Sequence, residues 1–522
     1  MKVSHLGVLL SLCGALAAAP QTSYDVVIRN GRLLDGTGNP CRYADVAVRD
    51  GRIAAVGSLA NEAATRVLDA AGLVVAPGFI DVHSHSGPGL AGELNRGEPL
   101  LAQGITTVCI NPDGGGPVDL AAQRAELERR HTGVNTALFV PHGSIRQKVL
   151  GMADRDPSAE ELARMVELVE AGMKAGGIGL STGLYYAPGS YSKTEEVIAL
   201  AKAAARFGGV YSSHIRDEGD YNVGLVAAVS EVIRIAEEGG LPGVVSHMKA
   251  LGKASWGLSV AATMRIEEAR ARGVQVYADQ YPYEASGTGI GGALVPRWAQ
   301  AGGAAELAKR LHGPVRPRIA EEIRINIERR GGPASLVISR FRPDPQLEGK
   351  SLADLAAAAG KSAHEVVLDL MDRGDASLVS FNMNERDIQH IMRQVYTMTS
   401  TDGDLVPMGV GKPHPRAYGA FPRKLAVYVR ERGVIGIEFA IRSMTSLPAA
   451  VFGMKSRGRI DPGAWADILV FDPEKVRDTA TYLEPHQLAR GMVHILVNGR
   501  VVLEGTRFTG DLPGRVVVPE RR

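Results

Sequence analysis

Val74-Val75-Ala76-Pro77-Gly78-Phe79-Ile80-Asp81-Val82-His83-Ser84-His85 is an apolar, strand-like run that finishes in two histidines. Strand side chains alternate with a period of two, so His83 and His85 share a face. Two neutral imidazoles on one face of a strand end are donors that a divalent metal such as Zn²⁺ accepts. An isolated pair of this kind could equally be two hydrogen-bonded surface histidines, so the rest of the chain has to supply the partners.

Outward from this run the chain alternates strand and helix. Candidate strands end near His85, Asn111, His142, Thr182, His214, His247, Asp279 and Asp402, with amphipathic stretches at 159–174, 194–206, 223–238 and 261–272 between them. Eight β–α alternations predict an α/β fold, a (β/α)₈ TIM-like barrel spanning residues 76–455. The connection between strands seven and eight is too long for one helix, so about 285–375 are expected to form an insertion or lid. Both chain ends carry short β runs broken by Asn-Gly and Asp-Gly turns. Neither end has enough strands for a core of its own, which predicts that 20–75 and 456–522 pair into one small β-sandwich.

A chain of 522 residues suggests more than one structural unit. Lys and Arg number 59 against 57 Asp and Glu, which gives nucleic-acid binding no electrostatic support. Lys2, the apolar stretch from Leu6 to Leu16 and the small residues Ala17-Ala18-Ala19 mark residues 1–19 as a signal peptide. The expected location is therefore periplasmic or secreted. That stretch is too short to span a bilayer, and no stable membrane anchor is expected. Beyond it only Cys41 and Cys109 remain, too few for a disulfide framework.

In a (β/α)₈ barrel the active site lies at the C-terminal ends of the strands. His83 and His85 end strand one, Asp113 follows strand two, and His214, His247 and Asp402 end strands five, six and eight. Four histidines and two carboxylates converging on one barrel mouth point to a metal site. His142, at the end of strand three, is expected to hydrogen-bond locally or line the pocket rather than bind metal.

Several longer runs carry a family resemblance. They are Pro77-Gly78-Phe79-Ile80-Asp81-Val82-His83-Ser84-His85, Gln103-Gly104-Ile105-Thr106-Thr107-Val108, Gly179-Leu180-Ser181-Thr182-Gly183-Leu184-Tyr185-Tyr186-Ala187-Pro188-Gly189 and Ser213-His214-Ile215-Arg216-Asp217-Glu218. Ser246-His247-Met248-Lys249, Tyr281-Pro282-Tyr283 and His414-Pro415-Arg416 complete the set. The chain resembles the amidohydrolase superfamily and, within it, the N-acyl-D-amino-acid deacylases (D-aminoacylases). The resemblance implies one tightly bound zinc held by a strand-two cysteine and by histidines equivalent to His214 and His247. An ungapped alignment puts Asp113 where that cysteine is expected, while Cys109, four residues earlier, reads as packing. Aspartate can also ligate zinc, as a harder oxygen donor than thiolate. Strand four ends in Leu180-Ser181-Thr182 with no lysine for a carbamate bridge, which disfavours a dihydroorotase-like or hydantoinase-like binuclear centre. A second, weak metal could sit among His83, His85 and Asp402, sharing Asp113.

These residue types suit attack by metal-activated water, and the resemblance implies that the bond hydrolysed is a linear amide. Asp402 is expected to take the water's proton as general base and deliver it to the departing nitrogen, although Asp402-Gly403 alone also reads as a turn. The resemblance implies that Lys249, Tyr283 and Arg416 grip a substrate carboxylate. Each has a structural alternative: a solvated charge, barrel packing and a loop brace, respectively. The expected substrate is an N-acyl-D-amino acid. The alternatives are another amidohydrolase, such as an unusual dipeptidase or a cyclic amidase, or a catalytically silent metal- or peptide-binding relative.

Overall fold

The computed structural model describes residues 23–520, so the signal peptide expected over residues 1–19 lies outside the described residues. Eight parallel strands form the central sheet: β1 (Phe79–Asp81), β2 (Ile105–Ile110), β3 (Asn135–Pro141), β4 (Gly179–Gly183), β5 (Val210–His214), β6 (Gly243–Val245), β7 (Val276–Gln280) and β8 (Thr397–Thr399). Each pairs with its sequence neighbour, and β7 pairs with β8 across the long connection. The outer helices follow from local chemistry. Ala159–Lys174, for instance, starts at a capping box in which Ser158 accepts from the Glu161 amide and the Glu161 side chain accepts from the Ser158 amide. Its apolar face buries Met165, Val169 and Met173 against the barrel wall.

The opening run is two strands rather than one. Val74–Pro77 belongs to a seven-stranded sheet outside the barrel, and β1 begins only at Phe79. The break falls at Gly78, where a Cβ would lie 2.1 Å from Thr106 Oγ1 on β2. The chain can change sheets there because glycine lets β2 approach its backbone.

Val74–Pro77 pairs antiparallel with Ile468–Phe471, so the two chain ends share a sheet. A four-stranded sheet built from N-terminal residues alone covers its face, with Val26, Ile28, Val46, Val48, Ile468 and Val470 in the common core. A buried polar knot ties this body to the barrel. Asp467 pairs with Arg457 and accepts from the Asn498 amide (2.8 Å) and from Asn135 Nδ2 on β3 (3.2 Å).

The connection from β7 to β8 carries a unit with its own core. Its three-stranded antiparallel sheet consists of Ser286–Gly289, Ser377–Ser380 and Leu336–Arg340. Helices including Arg316–Arg329 and Ala363–Arg373 pack on it through Ile319, Ile323, Val367 and Leu370. The unit lies over the C-terminal mouth of the barrel, where Gly287, Thr288, Leu378 and Arg330 reach the cavity. Among the described residues no helix is long and apolar enough to cross a membrane.

No ladder joins β8 to β1; the barrel closes just beyond their ends. Asp81 accepts from the Thr401 amide (2.9 Å) and hydroxyl (2.5 Å), the Asp402 amide donates to the His83 carbonyl (2.9 Å), and the His85 amide donates to the Gly403 carbonyl (3.0 Å). Asp81 also accepts from the His83 amide (3.3 Å), so replacing it by Ala strands three buried donors, a loss of about 2–4 kcal/mol. We expect Asp81→Ala to lower Tm clearly and Thr401→Val, which removes the hydroxyl's bond to Asp81 and its acceptance from the Gly403 amide but keeps the Thr401 amide bond, to lower it less. Calorimetry showing Asp81→Ala as stable as the parent would contradict this account of closure.

Candidate active site

The strand ends deliver six metal-competent side chains to one place. Asp113, His247 and Asp402 lie just past β2, β6 and β8 at φ of 55°, 35° and 49°. Left-handed backbone is uncommon for residues other than glycine, and here it turns each side chain inward over the mouth. Neighbouring strands brace these bends. Ser181 of β4 donates to the Asn111 carbonyl (2.7 Å) and accepts from the Gly114 amide (3.2 Å), which holds the Asp113 loop. Asp279 of β7 accepts from the His247 amide at 2.9 Å.

Asp113 occupies the centre. One of its oxygens lies 3.2 Å from His83 Nε2 and 3.5 Å from His247 Nε2, and the other 3.5 Å from His85 Nε2 and 3.8 Å from His214 Nδ1. Asp402 Oδ1 stands 3.2 Å from His85 Nε2 and 3.5 Å from His83 Nε2. Two donor sets result, His83–His85–Asp113–Asp402 and Asp113–His214–His247, each with its ligand atoms within 4.8 Å of one another. Both ring nitrogens of His83 and His214, and Asp113 Oδ1, are buried without a hydrogen-bond partner. Buried polar atoms of this kind are normally satisfied, so nitrogen and carboxylate donors left open around one point fit a divalent cation.

The electrostatics favour ionised carboxylates. Burial pushes Asp113 up, but the neighbouring imidazoles of His83, His214 and His247 outweigh it and hold the group well below the usual carboxylate range. Burial likewise opposes ionisation of Asp402, and Arg416, then His247 and His85, overcome it. The Arg416–Asp402 ion pair is 2.7 Å long and buried on both sides. Burial and Lys249 push His247 down, whereas Asp402, Glu218 and Asp113 raise it to about 9 in the absence of a cation. A bound cation would replace the proton in that balance, since only neutral imidazole ligates.

Glu218, four residues after His214, was missed as a site residue. It accepts from Lys249 Nζ, lies 3.0 Å from His247 Nδ1 and 3.7 Å from His214 Nε2, and thus backs both imidazoles. Glu218 and Lys249 both contact His247 Nδ1, at 3.0 Å and 2.7 Å, which leaves Nε2 as the ring nitrogen facing Asp113. The signal for Glu218 was present in the His214-Ile215-Arg216-Asp217-Glu218 run.

Around this centre lies a cavity of about 930 Å³. Lys249 and Arg416 both line it and flank the face of Tyr281, at 5.5 Å and 4.6 Å from the ring centre. Tyr283 does not reach it, which corrects its expected place in a carboxylate grip. Side chains two residues apart point to different sides here, and Tyr283 is turned into the barrel wall. There its hydroxyl donates to the Pro415 carbonyl (3.4 Å) and its ring meets His414 edge-on. His142 pairs with Glu196 at 2.9 Å, away from the donor sets, and Cys109 is fully buried among Ile80, Val82 and Phe139. Tyr185 and Tyr186 cover His214, with ring centres at 5.3 Å and 4.7 Å.

A parallel barrel whose mouth holds shared carboxylate and imidazole donors beside an arginine-braced aspartate is a metal-dependent hydrolase. The profile of the Amidohydrolase family matches residues 66–312 and 347–503, and the chain belongs to that family. Within it the chain is N-acyl-D-amino-acid deacylase-like. A D-aminoacylase of Alcaligenes xylosoxydans xylosoxydans is 36% identical over 519 residues, covering 95% of this chain and 97% of the relative. The crystal structure of an N-acyl-D-glutamate deacylase from Bordetella bronchiseptica, complexed with zinc and a phosphonate mimic of the tetrahedral intermediate, superposes with a TM-score of 0.82 at 34% identity, over 95% of this chain and all of that one. A D-aminoacylase structure described for its binuclear metal centre, with one-metal activation and second-metal attenuation, gives 0.81 at 34% identity over 94% of this chain and 99% of that one.

The geometry predicts unequal effects on metal content. Asp113→Ala, which removes the donor common to both sets, should abolish stoichiometric zinc, whereas His83→Ala should leave the Asp113–His214–His247 set loaded. Asp113→Cys should hold zinc longer against a chelator, because thiolate is the softer donor. Metal analysis after timed dialysis reads all three, and equal zinc loss from His83→Ala and Asp113→Ala would refute the ranking.

Proposed function

We propose that this enzyme hydrolyses the amide bond of N-acyl-D-amino acids, releasing a carboxylate and a D-amino acid. The observation that carries the reading is the buried Asp402, tied to Arg416 on one oxygen, which favours its ionised form, and facing the donor sets with the other. Likeness to deacylases over nearly the whole chain supports the substrate class. In this reading Asp113, His214 and His247 hold one zinc tightly, and His83, His85 and Asp402 form a weaker second position that shares Asp113. Zinc, when bound, polarises the scissile carbonyl and lowers the pKa of water.

The remaining work falls to side chains of this protein. Asp402 Oδ1 takes a proton from the attacking water as the water oxygen bonds to the carbonyl carbon. It then passes that proton to the amide nitrogen as the C–N bond breaks and the amine leaves. Arg416 keeps Oδ2 occupied, so a single oxygen carries the proton and its orientation is fixed. Lys249 and Arg416, each also paired with a carboxylate of the protein, line the Tyr281 end of the cavity and orient the substrate's α-carboxylate there through their remaining N–H groups. His214 and His247 stay neutral and directed, with Glu218 behind them.

The deciding experiment is an amine-release assay on paired D and L N-acyl-amino acids, with zinc quantified on the same preparation. Turnover of D substrates is expected; hydrolysis confined to L substrates would sink the D assignment and leave the hydrolase intact. Asp402→Asn should lower kcat by about 10²–10⁴-fold at unchanged zinc content. Preserved turnover would remove Asp402 from the proton-transfer role. We further propose export, with cleavage after the small residues ending at Ala19; a mature chain still beginning at Met1 in the exported fraction would contradict it.

A further inference from the structure

One charge in the cavity is left over by the chemistry above. Arg330 caps the C-terminal end of the helix Arg316–Arg329 of the inserted unit and lines the cavity. It is 2% exposed. Its Nη2 donates to the Tyr185 hydroxyl (3.0 Å) and its Nη1 to Ser380 Oγ (3.3 Å), while its buried Nε has no partner. Guanidinium offers five N–H donors, so most of its bonding capacity is unused.

The other cations of the cavity are already matched, Lys249 by Glu218 and Arg416 by Asp402. Arg330 has no ion pair with a carboxylate among the described residues; the groups bearing on its charge are the phenols Tyr221, Tyr185 and Tyr186. Arg297 adds a second guanidinium 4.1 Å from the Tyr185 ring, spent on the Tyr185 and Val295 carbonyls. Together they make this end strongly positive: burial opposes ionisation of Tyr185, yet Arg330 and Arg297 pull its pKa below the ordinary phenol value. A buried cation facing a cavity without a counter-charge is costly in a protein interior unless a ligand supplies the anion.

We propose that Arg330 is a specificity-determining residue that binds a second carboxylate of the substrate, distinct from the α-carboxylate held at the Tyr281 end. The position suits this role. Tyr185, which accepts from Arg330, has its ring 5.3 Å from His214, so the guanidinium lies about one tyrosine beyond the metal-competent centre. A substrate with its scissile amide at that centre and its α-carboxylate between Lys249 and Arg416 presents its other substituents toward Arg330. The second carboxylate could belong to the side chain, as in N-acyl-D-glutamate, or to the acyl group, as in an N-succinyl amino acid. Either way it would form the paired, charge-assisted bonds that a planar guanidinium favours.

This inference rests on the deacylase reading, and the test separates the two. On the zinc-loaded enzyme, kcat/KM is measured for N-acetyl-D-glutamate against N-acetyl-D-glutamine, and for N-succinyl-D-alanine against its neutral succinamoyl analogue. Within one of these pairs the acid should be preferred by about 10–100-fold, and the favoured pair identifies the source of the carboxylate. In Arg330→Gln that preference should collapse, chiefly through KM of the acid, and Arg330→Lys should restore part of it. A purely structural Arg330 would lower acid and amide alike. Turnover of D substrates without an acid preference in either pair would overturn the Arg330 proposal alone, as would a preference that survives Arg330→Gln. The absence of turnover on every N-acyl-D-amino acid would overturn the deacylase reading and this inference with it. The absence of an acid preference in the parent enzyme overturns the proposal even if the variants fold poorly, and zinc content measured on each variant separates a lost preference from a misfolded chain.

Discussion

The seam between β1 and β8 is the constraint on which the site depends. Strand pairing stops short of it, and the barrel closes instead through Asp81 on Thr401 and through main-chain bonds between His83 and Asp402 and between His85 and Gly403. Those bonds set the catalytic register. They hold His83 and His85 beside Asp402 because the backbones that carry them are bonded directly. A one-residue slip along this seam would turn the histidines away from Asp113, since side-chain direction alternates with each residue. Fold closure and assembly of the site are thus one event.

Charge is the second organising principle. Two carboxylates, the partly buried Asp113 and the buried Asp402, face four imidazoles, and each has a means of staying ionised away from bulk water. Arg416 serves Asp402; the surrounding histidines serve Asp113. Behind them Glu218 and Lys249 form a further pair that touches His247, so the ligand face of that ring is set from outside the metal position. Aspartate at the centre supplies two hard oxygens that can bridge both donor sets, where a thiolate would supply one soft atom.

Much of this was legible in the sequence. The alternation of strands and amphipathic helices predicts the barrel because helical and strand periodicities are local, and Ala159–Lys174 coincides with its expected bounds for that reason. The polar residues at strand ends could be gathered on one mouth because a parallel barrel places all C-terminal ends together. Local pattern could not show that the opening run serves two sheets. Its apolar residues are alike on both sides of Gly78, and only the close approach of Thr106 explains the break. Tyr281 and Tyr283 were equally indistinguishable, since the choice depends on which way the chain turns after β7.

The sequence by itself determined the class of fold, the six candidate ligands and the aspartate in place of an expected cysteine. The first two follow from residue type and spacing along the chain, and the third from the resemblance to the deacylases. Only the tertiary structure decided that Asp113 stands at the shared centre, that Glu218 backs two histidines, that Tyr283 is excluded and that Arg330 enters the cavity from the inserted unit. Those outcomes depend on distances between residues as far apart as Tyr185 and Arg330, or Asp81 and Thr401. Contacts across such separations are set by how the strands close and how the insertion packs over the mouth, and no local periodicity encodes them.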